Sequence, residues 1–378
     1  MVIGQFCETY PPARDGVGRV MLAYCQTLDQ MGHECFYIAP QDSARSETDG
    51  CSTLLYPGIG IPGEPYRVGF PEMSRTFTKQ IYHKNFDIVH VHSPFLAART
   101  ARRIARKQNI PLVATFHSKY YDDFYRATHS KTLSNLGIRY ILSLYRSCDE
   151  VWAVNEKTAQ VLRGYGYDGE IVIMPNGTNV RDVSAAEYEA SLSPYPLKND
   201  LPTLIFVGQM DIKKNTESII RACALLKEQG VQFQMLMVGD GQDVQFLKKL
   251  SKELGIHEQI LFTGFISDHA AMLSLYKRSD LLVFPSIYDN APMVVREAAS
   301  MGTPALLVEN TCSAEGVIDG ENGFLCQNSV QSIADGIQNA LSHTAQVGAN
   351  AKLTIPIPWE KLMADVLSRY EQLIAKRK

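Results

Sequence analysis

Lys214 stands in Val207-Gly208-Gln209-Met210-Asp211-Ile212-Lys213-Lys214-Asn215, a stretch that leaves a β-branched run and enters a helical pattern. An ammonium at such a mouth can neutralise a diphosphate. A second stretch of the same kind is Phe284-Pro285-Ser286-Ile287-Tyr288-Asp289-Asn290-Ala291-Pro292-Met293-Val294-Val295-Arg296-Glu297. Pro292 suits a first helical position, with Asp289 and Asn290 available as caps. The N–H groups of Met293 and Val294 are then unpaired and can meet a phosphate oxygen. Asp289 sits at the helix mouth and Glu297 more than a turn inside, so two acceptors can read hydroxyls on two rings of one ligand.

Three clusters in the first half carry weaker signals. Gly16-Val17-Gly18-Arg19 closes a Pro-rich loop and opens a helix, where Gly16 lets an anion approach the backbone. Met21 takes the place of the third glycine of a dinucleotide fingerprint, which argues against a nicotinamide enzyme. His90 and His92, two apart on a strand, face one side. They read either as a metal pair lacking a third ligand or as strand-end histidines hydrogen-bonded in a wall. His117, in Thr-Phe-His-Ser, ends another apolar strand, where it can donate a hydrogen bond to a sugar hydroxyl or polarise a reacting centre.

These residues need strand ends to hold them. Strands are predicted at 1–6, 34–38, 88–92, 112–116, 150–154 and 171–174, alternating with helices. The pattern restarts at 203–207 and runs through 234–238, 260–263, 281–284, 304–307 and 323–325. Alternation of this kind predicts α/β structure with two consecutive doubly wound parallel sheets. Ligands of such sheets bind beyond the C-terminal strand ends, where all the residues above lie. The turn-rich stretch 175–202 joins the units, giving domains 1–175 and 176–358. A final helix, 359–378, has one apolar face that needs a surface to cover.

Composition narrows the function. The chain has 378 residues, 45% hydrophobic and 20% charged, with 37 basic and 40 acidic side chains. A net charge of −3 gives no field that would gather nucleic acid. The eight cysteines include no CxxC and no zinc-ligand spacing, so buried thiols in a cytoplasmic protein are expected. No run reaches the roughly 18 apolar residues of a spanning helix. The helix Arg99–Lys107 has five basic residues and no acid. It is either a solvated face or a peripheral contact with the inner face of an anionic membrane.

Taken in order, the motifs resemble the retaining GT-B glycosyltransferases of family 4. The set comprises Gly16-Val17-Gly18-Arg19, Val-His-Val-His-Ser-Pro, Thr-Phe-His, Met-Pro-Asn-Gly at 174–177 and Val-Gly-Asp-Gly at 238–241. Thr-Gly-Phe-Ile at 263–266, the acidic-x7-acidic pair Asp289/Glu297, Met-Gly-Thr-Pro at 301–304 and Asp-Gly-Glu-Asn-Gly-Phe-Leu at 319–325 complete it. The resemblance implies two Rossmann-like domains facing a cleft, with a C-terminal helix crossing back to the first. It implies a hexose donor, UDP-linked, that is a substrate rather than a cofactor, and a hydroxyl acceptor on a glycan or lipid. Gly16 would contact the distal phosphate, Lys214 the diphosphate, Glu297 the ribose, Asp289 the transferred sugar and His117 the reacting face. Phe265 and Ile266 would frame the base, and Tyr120, Tyr121 and Asp122 would meet the acceptor. No metal is implied. Gln209 stands where the family has arginine, Asp289 where it has glutamate and Pro292 where it has glycine. A sugar-nucleotide epimerase and a non-catalytic nucleotide-sugar-binding subunit are the competing classes.

Overall fold

The computed structural model describes residues 1–9, 16–41, 51–61 and 67–377. The loop residues Pro11–Asp15 before Gly16 lie outside the described residues. The chain divides into two compact units, one formed by Met1–Gly177 with Trp359–Lys378, the other by Thr178–Pro358.

Unit 1 has eight strands: β1 (Val2–Phe6), β2 (Glu34–Gln41), β3 (Ser52–Gly60), β4 (Arg67–Gly69), β5 (Ile88–Val91), β6 (Leu112–Phe116), β7 (Glu150–Ala153) and β8 (Ile171–Ile173). Their order is β4-β3-β2-β1-β5-β6-β7-β8, parallel except for the β3–β4 pair. Unit 2 has β9 (Thr203–Val207), β10 (Gln234–Val238), β11 (Ile260–Gly264), β12 (Leu281–Phe284), β13 (Ala305–Val308) and β14 (Phe324–Cys326). They form one parallel sheet, β11-β10-β9-β12-β13-β14. Strands buried on both faces explain the near-continuous apolar runs, such as the fully buried Ile88-Val89-His90-Val91.

Several elements depart from the sequence expectation. β3 and β4 are additional strands at one edge; Pro57, Gly58 and Gly60 make β3 read as turn, and edge strands tolerate such residues. The joint holds a helix, Ala185–Leu192, opened by a capping box between Ser184 and Glu187. Pro292 is the N-cap of the helix Met293–Ser300 rather than its first residue, and no side chain caps that helix. Six of the eight cysteines are buried and none forms a disulfide. Cys25, Cys35 and Cys51, distant in sequence, come together, and burial first and then their mutual contact push the Cys25 thiol up.

The glycines of Val-Gly-Asp-Gly serve backbone approach. Gly208 N donates to Val238 O at 3.0 Å, Met210 N to Asp240 O at 2.9 Å and Gly239 N to Gly264 O at 2.9 Å. The exits of β9, β10 and β11 are therefore laced together through their main chains. A Cβ at Gly239 would lie 1.9 Å from Gly208 O, at a φ of +131°. Gly239→Ala should destabilise unit 2 by roughly 2–3 kcal/mol or more. Both tryptophans, Trp152 and Trp359, belong to unit 1. In urea, far-UV circular dichroism should register an earlier transition in this variant while tryptophan fluorescence stays unmoved.

Candidate active site

In unit 2 the strand order reverses between β9 and β12, which pair directly through Leu204–Leu281 and Ile205–Leu282. The two loops leaving these strands diverge, and the crevice between them is where such sheets bind ligands. The β9 loop is shaped by Asp211, whose carboxylate accepts from Lys213 N at 3.0 Å and starts a single 3-10 turn, Ile212–Lys214. Asn215 ends that turn at φ 58°, and its Nδ2 donates to Pro285 O of the β12 loop at 3.3 Å.

Across this crevice Lys214 Nζ donates to Asp289 Oδ1 at 2.5 Å, and Ser286 Oγ donates to Asp289 Oδ2 at 2.6 Å. Both members of the ion pair are 19% exposed. Asp289 thus serves Lys214 and Ser286 instead of capping the following helix, as the sequence reading had it. Lys213 also turns toward this loop, its Nζ 5.5 Å from the centroid of the Tyr288 ring. Helix geometry leaves the N–H groups of Met293 and Val294 without intrahelical carbonyls, beside the same loop.

Glu297 is buried one turn further on, where Tyr276 Oη donates to its Oε2 at 3.2 Å. Tyr276 is fully buried on an apolar helix face and reads as core in the sequence. Only the rule that a buried phenol needs a partner points to it. Gln209 is exposed, Phe265 is 49% exposed and Ile266 packs partly against the core of unit 2.

In unit 1 the order reverses between β1 and β5. Gly16, the first residue of the helix Gly16–Gln30, is exposed, and a Cβ there would meet nothing within 4 Å. Gln5 of β1 lies opposite His90 of β5. His90 Nδ1 is 2.6 Å from Tyr370 Oη and its Nε2 is 2.7 Å from Thr115 Oγ1. His92 Nε2 is 2.8 Å from Gln5 Oε1 and its Nδ1 is 3.1 Å from His117 Nε2. Every ring nitrogen of the His90/His92 pair is committed within the protein. That decides for the hydrogen-bonded wall over the metal pair. Gln5 and Tyr370 escaped the sequence reading; a lone amide in the apolar run Val-Ile-Gly-Gln-Phe was the available signal.

Tyr120 does not face an acceptor. It is 6% exposed and packs edge-on against Phe95 and Phe116. Tyr121 is half-buried and Asp122 exposed on the same helix, Tyr120–Thr128.

The family described as Glycosyltransferase Family 4 matches residues 14–182, and the family described as Glycosyl transferases group 1 matches residues 188–353. The chain belongs to the family 4, group 1 glycosyltransferases. The alpha-monoglucosyldiacylglycerol synthase of Acholeplasma laidlawii is 24% identical over 86% of this chain and 84% of its own length. A GDP-mannose-dependent alpha-mannosyltransferase of Corynebacterium glutamicum is 22% identical over 99% of this chain and 90% of its own. The structure of Anabaena HepE in complex with UDP superimposes with a TM-score of 0.77 at 17% identity, covering 98% of this chain and all of that one. The fold is that of the GT-B glycosyltransferases, built from two Rossmann-like units. Among the described residues of this glycosyltransferase, no helix is long and apolar enough to cross a membrane.

Burial keeps the three histidines neutral. It pushes His117 down to about 3 and, with help from neighbouring histidines, holds His90 and His92 well below 6.5. Burial raises Glu8 to about 7, partly offset by the N–H groups of Ala97 and Leu96. Below pH 6.5 the unfolded chain therefore takes up three protons that the folded unit refuses, while Glu8 holds one that the unfolded chain releases down to about pH 4.5. The stability present above pH 6.5 is therefore lost on acidification. The urea midpoint read by tryptophan fluorescence should fall markedly between pH 7 and pH 5.

Proposed function

We propose that this glycosyltransferase moves a hexose from a nucleotide diphosphate sugar to an acceptor hydroxyl with retention and without a metal ion. The Lys214–Asp289 pair across the β9/β12 reversal carries this reading. A cation, a carboxylate and two unpaired helix N–H groups meet where an α/β sheet binds ligands. Diphosphate oxygens compete with Asp289 for Lys214; once they take the ammonium, the carboxylate turns to the sugar hydroxyls while Ser286 retains its other oxygen. The bond from the anomeric carbon to the diphosphate breaks with its electron pair on the leaving group. Lys214 and the N–H groups of Met293 and Val294 stabilise that charge in place. The acceptor oxygen bonds to the same face of the anomeric carbon, and its proton passes to a diphosphate oxygen. Glu297, held by Tyr276, takes the ribose, Phe265 and Ile266 border the base, and His117 faces the sugar.

The HepE complex favours UDP as the carrier, and the relative named for GDP-mannose sets the alternative. Thermal-shift panels of UDP- and GDP-sugars decide between them, because bound ligand raises the midpoint by mass action. A lipid acceptor is favoured by an open groove of about 600 Å³ in unit 1, lined by Phe95, Phe124, Leu133, Leu136 and Tyr140. Leu133 and Leu136 are 52% and 62% exposed on its rim. The Acholeplasma relative, named for a glucosyldiacylglycerol product, agrees with that choice. Arg99, Arg103, Arg106 and Lys107 are exposed on one helix and give a face for anionic lipid.

Lys214→Ala and Glu297→Ala should each weaken nucleotide diphosphate binding by about one to two decades, the worth of charged hydrogen bonds. Unchanged affinities by calorimetry in both variants refute the donor site. Activity should survive EDTA; loss of turnover that added divalent ions restore refutes the metal-free chemistry.

A further inference from the structure

The segments 208–215 and 285–297, which border the β9/β12 crevice, carry three cations, Lys213, Lys214 and Arg296, and three carboxylates, Asp211, Asp289 and Glu297. A crevice with no net charge attracts a diphosphate only through cations that its own carboxylates do not already hold. The three cations differ in this respect. Lys214 lies against Asp289 at 2.5 Å, so a phosphate must draw it off that carboxylate. Arg296 is taken up by the main chain, its Nη1 donating to Ile355 O at 2.8 Å. Lys213 Nζ stands 5.5 Å from the centroid of the Tyr288 ring and enters no ion pair among the described residues. A ring face holds an ammonium without neutralising it, and a charged phosphate oxygen is the stronger partner.

The main chain keeps Lys213 at this station. Asp211 Oδ1 accepts from Lys213 N at 3.0 Å and Lys214 N donates to Asp211 O at 2.9 Å, which pins the start of the 3-10 turn. Its end is pinned by Asn215, whose Nδ2 donates to Pro285 O at 3.3 Å and to Asn328 Oδ1 at 3.0 Å. Successive side chains of such a turn point roughly 120° apart. Lys213 and Lys214 nevertheless reach neighbouring residues of the β12 loop, Tyr288 and Asp289, and so approach it along different lines. Gln209, on the same loop, is exposed and brings no charge.

We propose that Lys213 is a second diphosphate-binding residue, held over Tyr288 in the free enzyme and transferred to a phosphate oxygen when the donor binds. The assignment rests on the reading of the β9/β12 crevice as the donor site. Lys214 and Asp289 part together, one to the diphosphate and the other to the sugar, an exchange that brings no new charge to the crevice. Lys213 supplies an ammonium that no carboxylate there has neutralised. When the bond to the anomeric carbon breaks, its electron pair leaves the diphosphate with one further negative charge, which Lys213 and Lys214 then share.

Calorimetric titration of the full chain with UDP and with GDP tests this, using whichever nucleotide the wild type binds more tightly. Lys213→Met keeps the apolar stem against Tyr288 and removes only the charge. It should weaken the diphosphate about tenfold, the worth of a charged hydrogen bond, while Lys213→Arg should stay within about threefold of wild type. A lysine that merely packs on the ring would leave the methionine variant unchanged. Affinity within about twofold of wild type in Lys213→Met, beside a loss of a decade or more in Lys214→Ala, overturns the proposal and leaves the donor site standing. An arginine variant as weak as the methionine one also overturns it, because charge is then not what the position supplies. Unchanged affinity in both Lys213→Met and Lys214→Ala overturns the donor-site reading and this assignment with it.

Discussion

Each sheet reverses its strand order once, and that reversal governs where chemistry can occur. Chains leaving β1 and β5, or β9 and β12, turn to opposite faces, so their first loop residues border a gap that backbone cannot fill. Gly16, His92, Lys214 and Asp289 all occupy such exits, and His117 lies one strand over. The two reversals are furnished differently. The β9/β12 exits present a cation and a carboxylate joined directly to each other. The β1/β5 exits present a glycine and neutral histidine rings. The difference between the two exits is therefore one of charge, an ion pair in one and neutral groups in the other.

Burial without charge is the rule in the first unit. A strand pair placing Gln5, His90 and His92 on one face would be costly if any polar atom were orphaned. The cost is removed by recruiting Tyr370 and Thr115, so that amide, phenol, hydroxyl and imidazole satisfy one another. In the second unit Glu297 is treated similarly, with the Tyr276 hydroxyl as its partner. A tyrosine with an apolar body and one polar tip is the economical device in both places.

The sequence made the alternating α/β grammar legible because buried parallel strands are nearly uniform apolar runs. It failed at β3 and β4, whose edge position tolerates the proline and glycines that elsewhere mark turns. Lys214, Asp289 and Glu297 were legible through their place after a strand or within the first turns of a helix. Their partners were not. Ser286 was in view without a role, and Tyr276, Gln5 and Tyr370 matter only through residues distant in the chain. Tyr120 was misread because a tyrosine after a strand-end histidine looks like a surface aromatic, whereas helix phase turns it inward.

The allotment of 359–377 to the first unit has a consequence for biosynthesis. A ribosome releases residues 1–177 first, yet that unit cannot close until the helix bearing Trp359 and Tyr370 has emerged. Trp359 lies against Gly177, where even a methyl group would come within 2.3 Å of the ring. The second unit, contiguous in sequence, can fold while the first is still waiting. Until then the amino-terminal unit lacks Tyr370, the hydrogen-bond partner of both Gln5 and His90.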